Sequence, residues 1–129
     1  MTRRLIKGGS RFEDIASFSR AVVDRDMIYL SGTTGHDHET GSFPGGAAEQ
    51  VELAFSHIEA ALAEAGATLA DVLRVVVYLT DRTDLMPVCE VVGRKFADVR
   101  PANTTVIAAL ALPEMKVEIE VTARRGSAG

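Results

Sequence analysis

The chain lacks several features that would place it in a specialised class of protein. It has one cysteine, Cys89, and no tryptophan among its 129 residues, so it can form no internal disulfide. No apolar run approaches the roughly 20 residues that a membrane helix needs, and the first residues do not resemble a signal peptide. We therefore predict a cytoplasmic protein with no membrane association and a core of small aliphatic side chains.

The charged residues exclude further classes. The net charge is −4 and the arginines are scattered along the sequence, whereas nucleic-acid-binding proteins usually gather Lys and Arg into one basic surface. The sequence also contains no Gly-rich phosphate-binding loop. We therefore predict no nucleic-acid partner and no cofactor.

The hydrophobic pattern predicts a single α+β domain covering residues 1–129. Helices are predicted where apolar residues recur every three or four positions, at 47–65 and 84–98. Strands are predicted where β-forming residues cluster in short runs, at 3–7, 21–23, 27–31, 72–80, 104–110 and 116–124. After the short strand at 3–7, the elements follow the order ββαβαββ, which places two helices on one face of a mixed sheet. Residues 32–46 are rich in Gly, Thr, His and Asp and predict a long loop.

The second helix and the histidines give weaker signals. A buried stripe of Leu85, Val88, Cys89, Val92 and Phe96 is predicted on the second helix, which would make the thiol unreactive.

His36 and His38 stand two residues apart, but no third ligand follows at a recognisable spacing, so we predict a solvated loop and no metal. His57 is predicted on the surface of the first helix.

The strand at 72–80 is apolar on both alternating faces, which indicates that both faces are covered. Two helices can cover only one face of such a sheet. Self-association is the simplest way to cover the other.

Several segments together resemble the reactive intermediate deaminase (Rid, YjgF-like) family. They are Ile28-Tyr-Leu-Ser-Gly32, Glu39-Thr-Gly-Ser-Phe-Pro44, Val75-Val-Val-Tyr-Leu-Thr-Asp81, Arg100-Pro-Ala-Asn-Thr-Thr-Val, Leu112-Pro and Val117-Glu-Ile-Glu-Val. The resemblance covers essentially the whole chain. It implies a chorismate-mutase-like domain that packs as a homotrimeric barrel, with helices outside and small-molecule clefts between subunits.

The resemblance also implies a function and a set of site residues. Members of the family hydrolyse enamines and imines to a carbonyl compound and ammonia. Glu118 matches the family's water-activating glutamate, on the strand face that also carries Glu120 and Thr122. The positions matching or adjoining the ligand-binding residues are Phe18, Ser31, Gly32, Glu90, Asn103 and Thr105.

Asn103 departs from the family pattern, because it occupies the position of the arginine that clamps the substrate carboxylate. An asparagine amide carries no charge and cannot form the guanidinium fork. We therefore expect weak or no activity on 2-imino acids, unless Arg20 or Arg100 supplies the missing cation. The alternative is a non-catalytic trimer that binds a small molecule in the same clefts.

Overall fold

The computed structural model describes residues 3–128 and confirms the α+β class with a mixed sheet. The strands are β1 (Arg4–Ile6), β2 (Ala21–Asp24), β3 (Met27–Leu30), β4 (Thr33–Thr34), β5 (Val72–Leu79), β6 (Ala102–Ile107) and β7 (Val117–Arg124). The α-helices are α1 (Arg11–Ala16), α2 (Ala47–Glu64) and α3 (Leu85–Lys95). None of the helices in this part of the chain is long and apolar enough to cross a bilayer.

The strands form one sheet in the order β1-β2-β3-β7-β5-β6, with β4 also paired to β7. Only β5 and β6 run parallel, and α3 connects them, because a parallel pair requires a crossover segment. The other pairs are antiparallel. The C-terminal strand β7 therefore lies in the middle of the sheet, where neighbours on both sides fix its register.

The core lies between one face of the sheet and α2. Val51, Phe55, Ile58 and Leu62 are fully buried, which confirms the predicted apolar stripe of this helix. The helix ends before Gly66, whose φ of 80° is the left-handed conformation usual after a helix C-terminus. Along β7 the side chains alternate between buried and half-buried, so the predicted assignment of its two faces is also confirmed.

The sequence prediction missed α1. Ser10 caps this helix, and its hydroxyl accepts a hydrogen bond from the Phe12 amide while the Glu13 carboxylate accepts one from the Ser10 amide. This reciprocal arrangement is a capping box, and its Ser-x-x-Glu spacing is visible in the sequence. The helix is only six residues long, too short for hydrophobic periodicity to reveal it.

The predicted face of α3 was wrong in part. Val88, Val91 and Val92 are its buried residues, whereas Cys89 and Leu85 are exposed. The buried stripe therefore includes Val91 and leaves out Leu85 and Cys89. Which of the neighbouring apolar positions becomes buried depends on where α2 lies. Pro87 stands in the first turn of the helix, where its missing amide hydrogen removes no helical hydrogen bond.

The second face of the sheet is open in the single chain. In β5, Val75, Val77 and Leu79 face the core, while Val76 and Tyr78 point to the open face and are only half-buried. All six residues of the edge strand β6 are exposed. Exposed apolar side chains also lie on the open face in β1, β3 and β6, namely Leu5, Tyr29 and Val106.

Candidate functional site

The ladder between the β3–β4 segment and β7 is irregular beside Glu118. Tyr29 pairs with Thr122 and Thr33 pairs with Ile119, so the three residues at 30–32 oppose only the two residues at 120–121. A bulge of this kind bends a strand and re-aims its side chains. It brings Gly32 against Glu118, and a Cβ atom on Gly32 would lie 2.8 Å from Cδ of Glu118 and nearer still to Oε2. The carboxylate can occupy this position only because residue 32 has no side chain.

The Glu118 carboxyl group is half-buried, and this alters its acid–base behaviour. Burial raises its pKa above the usual value, the Arg20 guanidinium partly opposes this rise, and the Glu120 carboxylate reinforces it. The net direction is upward, because a carboxylate loses solvation when it is buried. A carboxyl group with a raised pKa accepts and returns a proton more readily near neutral pH than an exposed one.

Glu118 lines a cavity of about 290 Å³ whose walls are largely apolar. The short helix α1 supplies Phe12 and Ala16, and the segment that follows it supplies Phe18. The loop after β4 contributes Phe43, and the turn before β7 contributes Leu112 and Met115. The helix that the sequence prediction missed therefore forms one wall of this cavity. A mainly apolar lining with a few convergent polar groups is usual for a small-molecule site.

Arg20 also lines this cavity. Its Nη1 donates a hydrogen bond of 3.2 Å to the Thr33 hydroxyl, and its guanidinium carbon lies 5.8 Å from the centre of the Phe18 ring. Burial lowers the pKa of Arg20, while Glu13 and Glu118 oppose that shift. The structure thus brings one of the two arginines considered as replacements into the same cavity as Glu118.

The three histidines of the chain converge on the same cavity, contrary to the sequence prediction. His36 and His38 share a hydrogen bond of 2.8 Å between their Nδ1 atoms, and the rings of His38 and His57 stack at 4.5 Å. His57 Nε2 donates to the backbone oxygen of His36 at 2.7 Å. His57 is therefore a half-buried contact residue and does not simply lie on the helix surface. His38 is exposed, as the solvated-loop prediction requires, but His36 is half-buried.

The histidine cluster does not form a metal site. Within residues 3–128 no group of three His, Cys, Asp or Glu side chains is arranged to hold a metal ion. The Nδ1 atoms of His36 and His38 face each other, so one must donate and the other accept. Burial lowers the pKa of His38, and the positive charges of His57, His36 and Arg20 lower it further. The lowered pKa keeps His38 uncharged at neutral pH, so it is a neutral hydrogen-bonding group at the cavity wall.

Asn103 and Thr105 lie on the opposite face of the sheet from Glu118. They pair with Val75 and Val77 and so face the helix side of β6, whereas Glu118 belongs to the opposite face. The Thr105 hydroxyl donates to Asn103 Oδ1 at 2.8 Å, which leaves the Asn103 amide hydrogens directed outward. One chain alone does not bring these residues to Glu118.

A second groove, of about 380 Å³, lies between α3 and β6 and contains Asn103. Arg100 lines this groove too, in a left-handed backbone conformation with φ of 54°. The two candidate arginines are therefore separated: Arg20 lies near Glu118, and Arg100 lies near Asn103. Both side chains are accessible, since Asn103 and Arg100 are exposed.

The remaining predicted site residues are distributed unequally. Phe18 and Gly32 line the cavity of Glu118. Ser31 is half-buried beside it and donates its hydroxyl hydrogen to the backbone oxygen of Ser19 at 2.6 Å. Glu90 is exposed on α3 and lines neither the cavity nor the groove. Glu120, on the same strand face as Glu118, accepts a hydrogen bond of 2.9 Å from the Tyr78 hydroxyl.

The sequence carries a family signature along nearly its whole length. The sequence model of a family described as Endoribonuclease L-PSP matches residues 8–125. The chain is 34% identical to the "RutC family protein UK114" of Drosophila melanogaster, over 98% of this chain and 93% of that one. It is equally similar, at 34% identity and with the same coverage, to the "2-iminobutanoate/2-iminopropanoate deaminase" of Bos taurus.

Solved structures give the same result for the fold. Rv2704 of Mycobacterium tuberculosis, a member of the YjgF/YER057c/UK114 family, superposes with a TM-score of 0.86 at 37% identity, covering 95% of this chain and 99% of that one. A putative endoribonuclease of Thermotoga maritima superposes with a TM-score of 0.87 at 32% identity, covering 98% and 100%. The topology described above is therefore the topology of these proteins.

Proposed function

Because the chain belongs to the reactive intermediate deaminase (Rid) family, we propose that it hydrolyses an enamine or imine to a carbonyl compound and ammonia. The observation that carries this proposal is the half-buried Glu118 carboxyl, seated against Gly32 in an apolar cavity. The name of the Bos taurus relative, an iminobutanoate and iminopropanoate deaminase, supports the same reaction class.

The reaction makes modest chemical demands. A protonated imine is already electrophilic at carbon, so the protein must hold it, place a water molecule and move a proton. Glu118 accepts a proton from the water as its oxygen bonds to the imine carbon, giving a carbinolamine. It returns that proton to the nitrogen. The C–N bond then breaks as the hydroxyl proton of the carbinolamine passes through Glu118 to the departing ammonia, which leaves the carbonyl compound and ammonium. The sum is R₂C=NH₂⁺ + H₂O → R₂C=O + NH₄⁺, and Glu118 ends unchanged.

We further propose that the active assembly is a homotrimer with its ligand clefts between subunits. The open sheet face carries the exposed side chains of Leu5, Tyr29 and Val106, and every residue of β6 is exposed. An uncovered strand edge and an apolar sheet face favour packing against other copies. Such packing would also bring Asn103 of one subunit toward the Glu118 cavity of its neighbour.

Sedimentation velocity at micromolar concentration tests the assembly. We expect a trimer for the wild type and a smaller species for Val106→Lys, because a charge would be buried in the contact. Met86→Lys is the matched control, since Met86 is exposed on α3, away from the open sheet face, and should leave the trimer intact. A stable single-chain species of the wild type would remove the proposed clefts.

The expected substrate preference follows from Asn103. A charge-assisted hydrogen bond contributes about 1.5–3 kcal/mol and a neutral one about 1 kcal/mol. The difference, about 0.5–2 kcal/mol, corresponds to hydrolysis of 2-iminopropanoate about two- to thirtyfold less efficient than by an arginine-bearing relative. Asn103→Arg should recover part of this difference if the cleft exists.

An imine-consumption assay tests the reaction itself. The imine is generated in situ by an amino acid oxidase, and its loss is followed with and without the protein. Wild type should accelerate the loss, and Glu118→Gln should abolish the acceleration. Ligand binding without any acceleration across small and bulky imines would leave the alternative, a non-catalytic binding trimer.

A further inference from the structure

The guanidinium group of Arg20 is partly buried but incompletely hydrogen-bonded. Among the residues that the structure describes, its Nε is the one buried side-chain nitrogen or oxygen without a hydrogen-bond partner. None of the salt bridges formed in residues 3–128 involves it. Buried donors are nearly always paired in folded proteins, so the free N–H of a half-buried guanidinium indicates a partner that binds there.

The nearest acidic side chains do not supply this partner. Glu13 and Glu118 both attract the Arg20 charge, but neither is within ion-pairing distance of the guanidinium. The Glu13 carboxylate instead accepts hydrogen bonds from the backbone amides of Gly8 and Ser10, at 2.9 and 3.4 Å. Among the described residues, Nη1 donates to the Thr33 hydroxyl, whereas Nε has no acceptor.

The surroundings of Arg20 define what could bind. It shares its cavity of about 290 Å³ with three phenylalanines and two other large apolar side chains, namely Phe12, Phe18, Phe43, Leu112 and Met115. A guanidinium recognises planar anions such as carboxylates through paired hydrogen bonds. The apolar walls gain free energy only from a ligand with enough apolar surface to cover them.

We propose that Arg20 binds the carboxylate of a ligand with an apolar body, aryl or branched alkyl, in the cavity that contains Glu118. The reaction of this ligand rests on the proposed function, since Glu118 would act on the carbon beside the bound carboxylate. Its binding step requires only Arg20 and the cavity. A three-carbon imino acid would leave most of the apolar wall uncovered, so larger imino acids should be preferred.

Isothermal titration calorimetry with phenylacetate and phenylacetamide tests the binding step. The two probes share one shape and differ in charge. Wild type should bind phenylacetate about two- to thirtyfold more tightly than phenylacetamide. Arg20→Gln should lose this preference while keeping the phenylacetamide affinity. Arg100→Gln is the matched control, because Arg100 lines the separate groove near Asn103, and it should keep the full preference.

A measurement on the wild type tests the same proposal without relying on the folding of a variant. The ¹⁵Nε signal of Arg20, assigned with Arg20→Lys, should shift when phenylacetate is added and stay in place with phenylacetamide. An unchanged signal under saturating phenylacetate would overturn the proposal. So would a carboxylate preference that survives in Arg20→Gln, or one that disappears in Arg100→Gln.

The two proposals fail separately. Glu118→Gln should still bind phenylacetate through Arg20 although it cannot turn over imine. Arg20-dependent binding in a wild type that accelerates no imine loss would support the anion site and overturn the hydrolase. Turnover of bulky imino acids with an unchanged KM in Arg20→Gln would overturn the anion site and leave the hydrolase standing.

Discussion

The carboxylate of Glu118 occupies the space that a side chain at position 32 would fill. A Cβ atom on Gly32 would approach Cδ of Glu118 to 2.8 Å, which is closer than real Cβ contacts. Gly32, two residues after the end of β3, therefore leaves the space in which the Glu118 carboxylate lies. This pairing leads to the first prediction.

Gly32→Ala should displace the Glu118 carboxylate and lower kcat/KM for imine hydrolysis at least tenfold, because about 1.4 kcal/mol of barrier corresponds to that factor. Gly45→Ala is the control, since a Cβ atom there would meet nothing within 4 Å. Steady-state assays on both variants, with thermal unfolding to confirm folding, check the prediction. Equal activity of Gly32→Ala and wild type would contradict the assigned role of Glu118.

Glu118→Gln should be no less stable than wild type at neutral pH, although it should be inactive. The folded-state pKa of Glu118 is raised, so the folded protein binds more protons than the unfolded chain between the usual pKa and the raised one. Stability therefore falls as pH rises through that window, because ionisation leaves a poorly solvated carboxylate. The glutamine variant has no ionisable group at position 118, so it does not lose stability in this pH window. Thermal unfolding from pH 4 to 8, with Glu120→Gln in parallel, measures the difference.

His38 should destabilise the fold on mild acidification. Its pKa is lowered from 6.5 by burial and by the positive charges of His57, His36 and Arg20, with Glu13 opposing. A depressed pKa means that the stability is fully present above 6.5 and is lost as pH falls toward the folded-state value. His38→Gln should flatten this part of the curve. Urea unfolding at several pH values between 5 and 8 tests this, and parallel curves for the two proteins would refute it.

Gln50 should be among the most costly polar residues to replace. Its Nε2 donates to the backbone oxygens of Pro44 and Glu114, at 2.8 and 2.9 Å, and its Oε1 accepts from the Lys116 amide at 2.9 Å. Gln50→Leu leaves these groups unpaired, at a cost of about 3 kcal/mol or more in unfolding free energy. Ser56→Ala on the exposed side of the same helix should cost well under 1 kcal/mol. Denaturant titration compares the two.

Several features of the protein followed from the sequence because each depends on local chemistry. The alternation along β7 predicts which of its side chains face the core, and the spacing from Val51 to Leu62 predicts the buried face of α2. Gly66 predicts the end of that helix. The Rid signature adds the family, and it is also the basis for predicting the acid–base role for Glu118, since periodicity alone does not distinguish Glu118 from Glu120. The Ser10–Glu13 capping box was available in the sequence, but a six-residue helix leaves no hydrophobic period to support it.

Other features were decided only by the tertiary structure. The exposure of Cys89 depends on the rotation of α3 against α2, and the meeting of the three histidines depends on how the loop after β4 folds over α2. Arg20 and Glu118 are 98 positions apart in the sequence, and only the pairing of β3 and β4 with β7 brings them to one cavity. The burial of the two side chains, the interaction between their charges and the unpaired Nε of Arg20 all depend on which residues surround them in space. The spacing of residues along the sequence does not determine those distances.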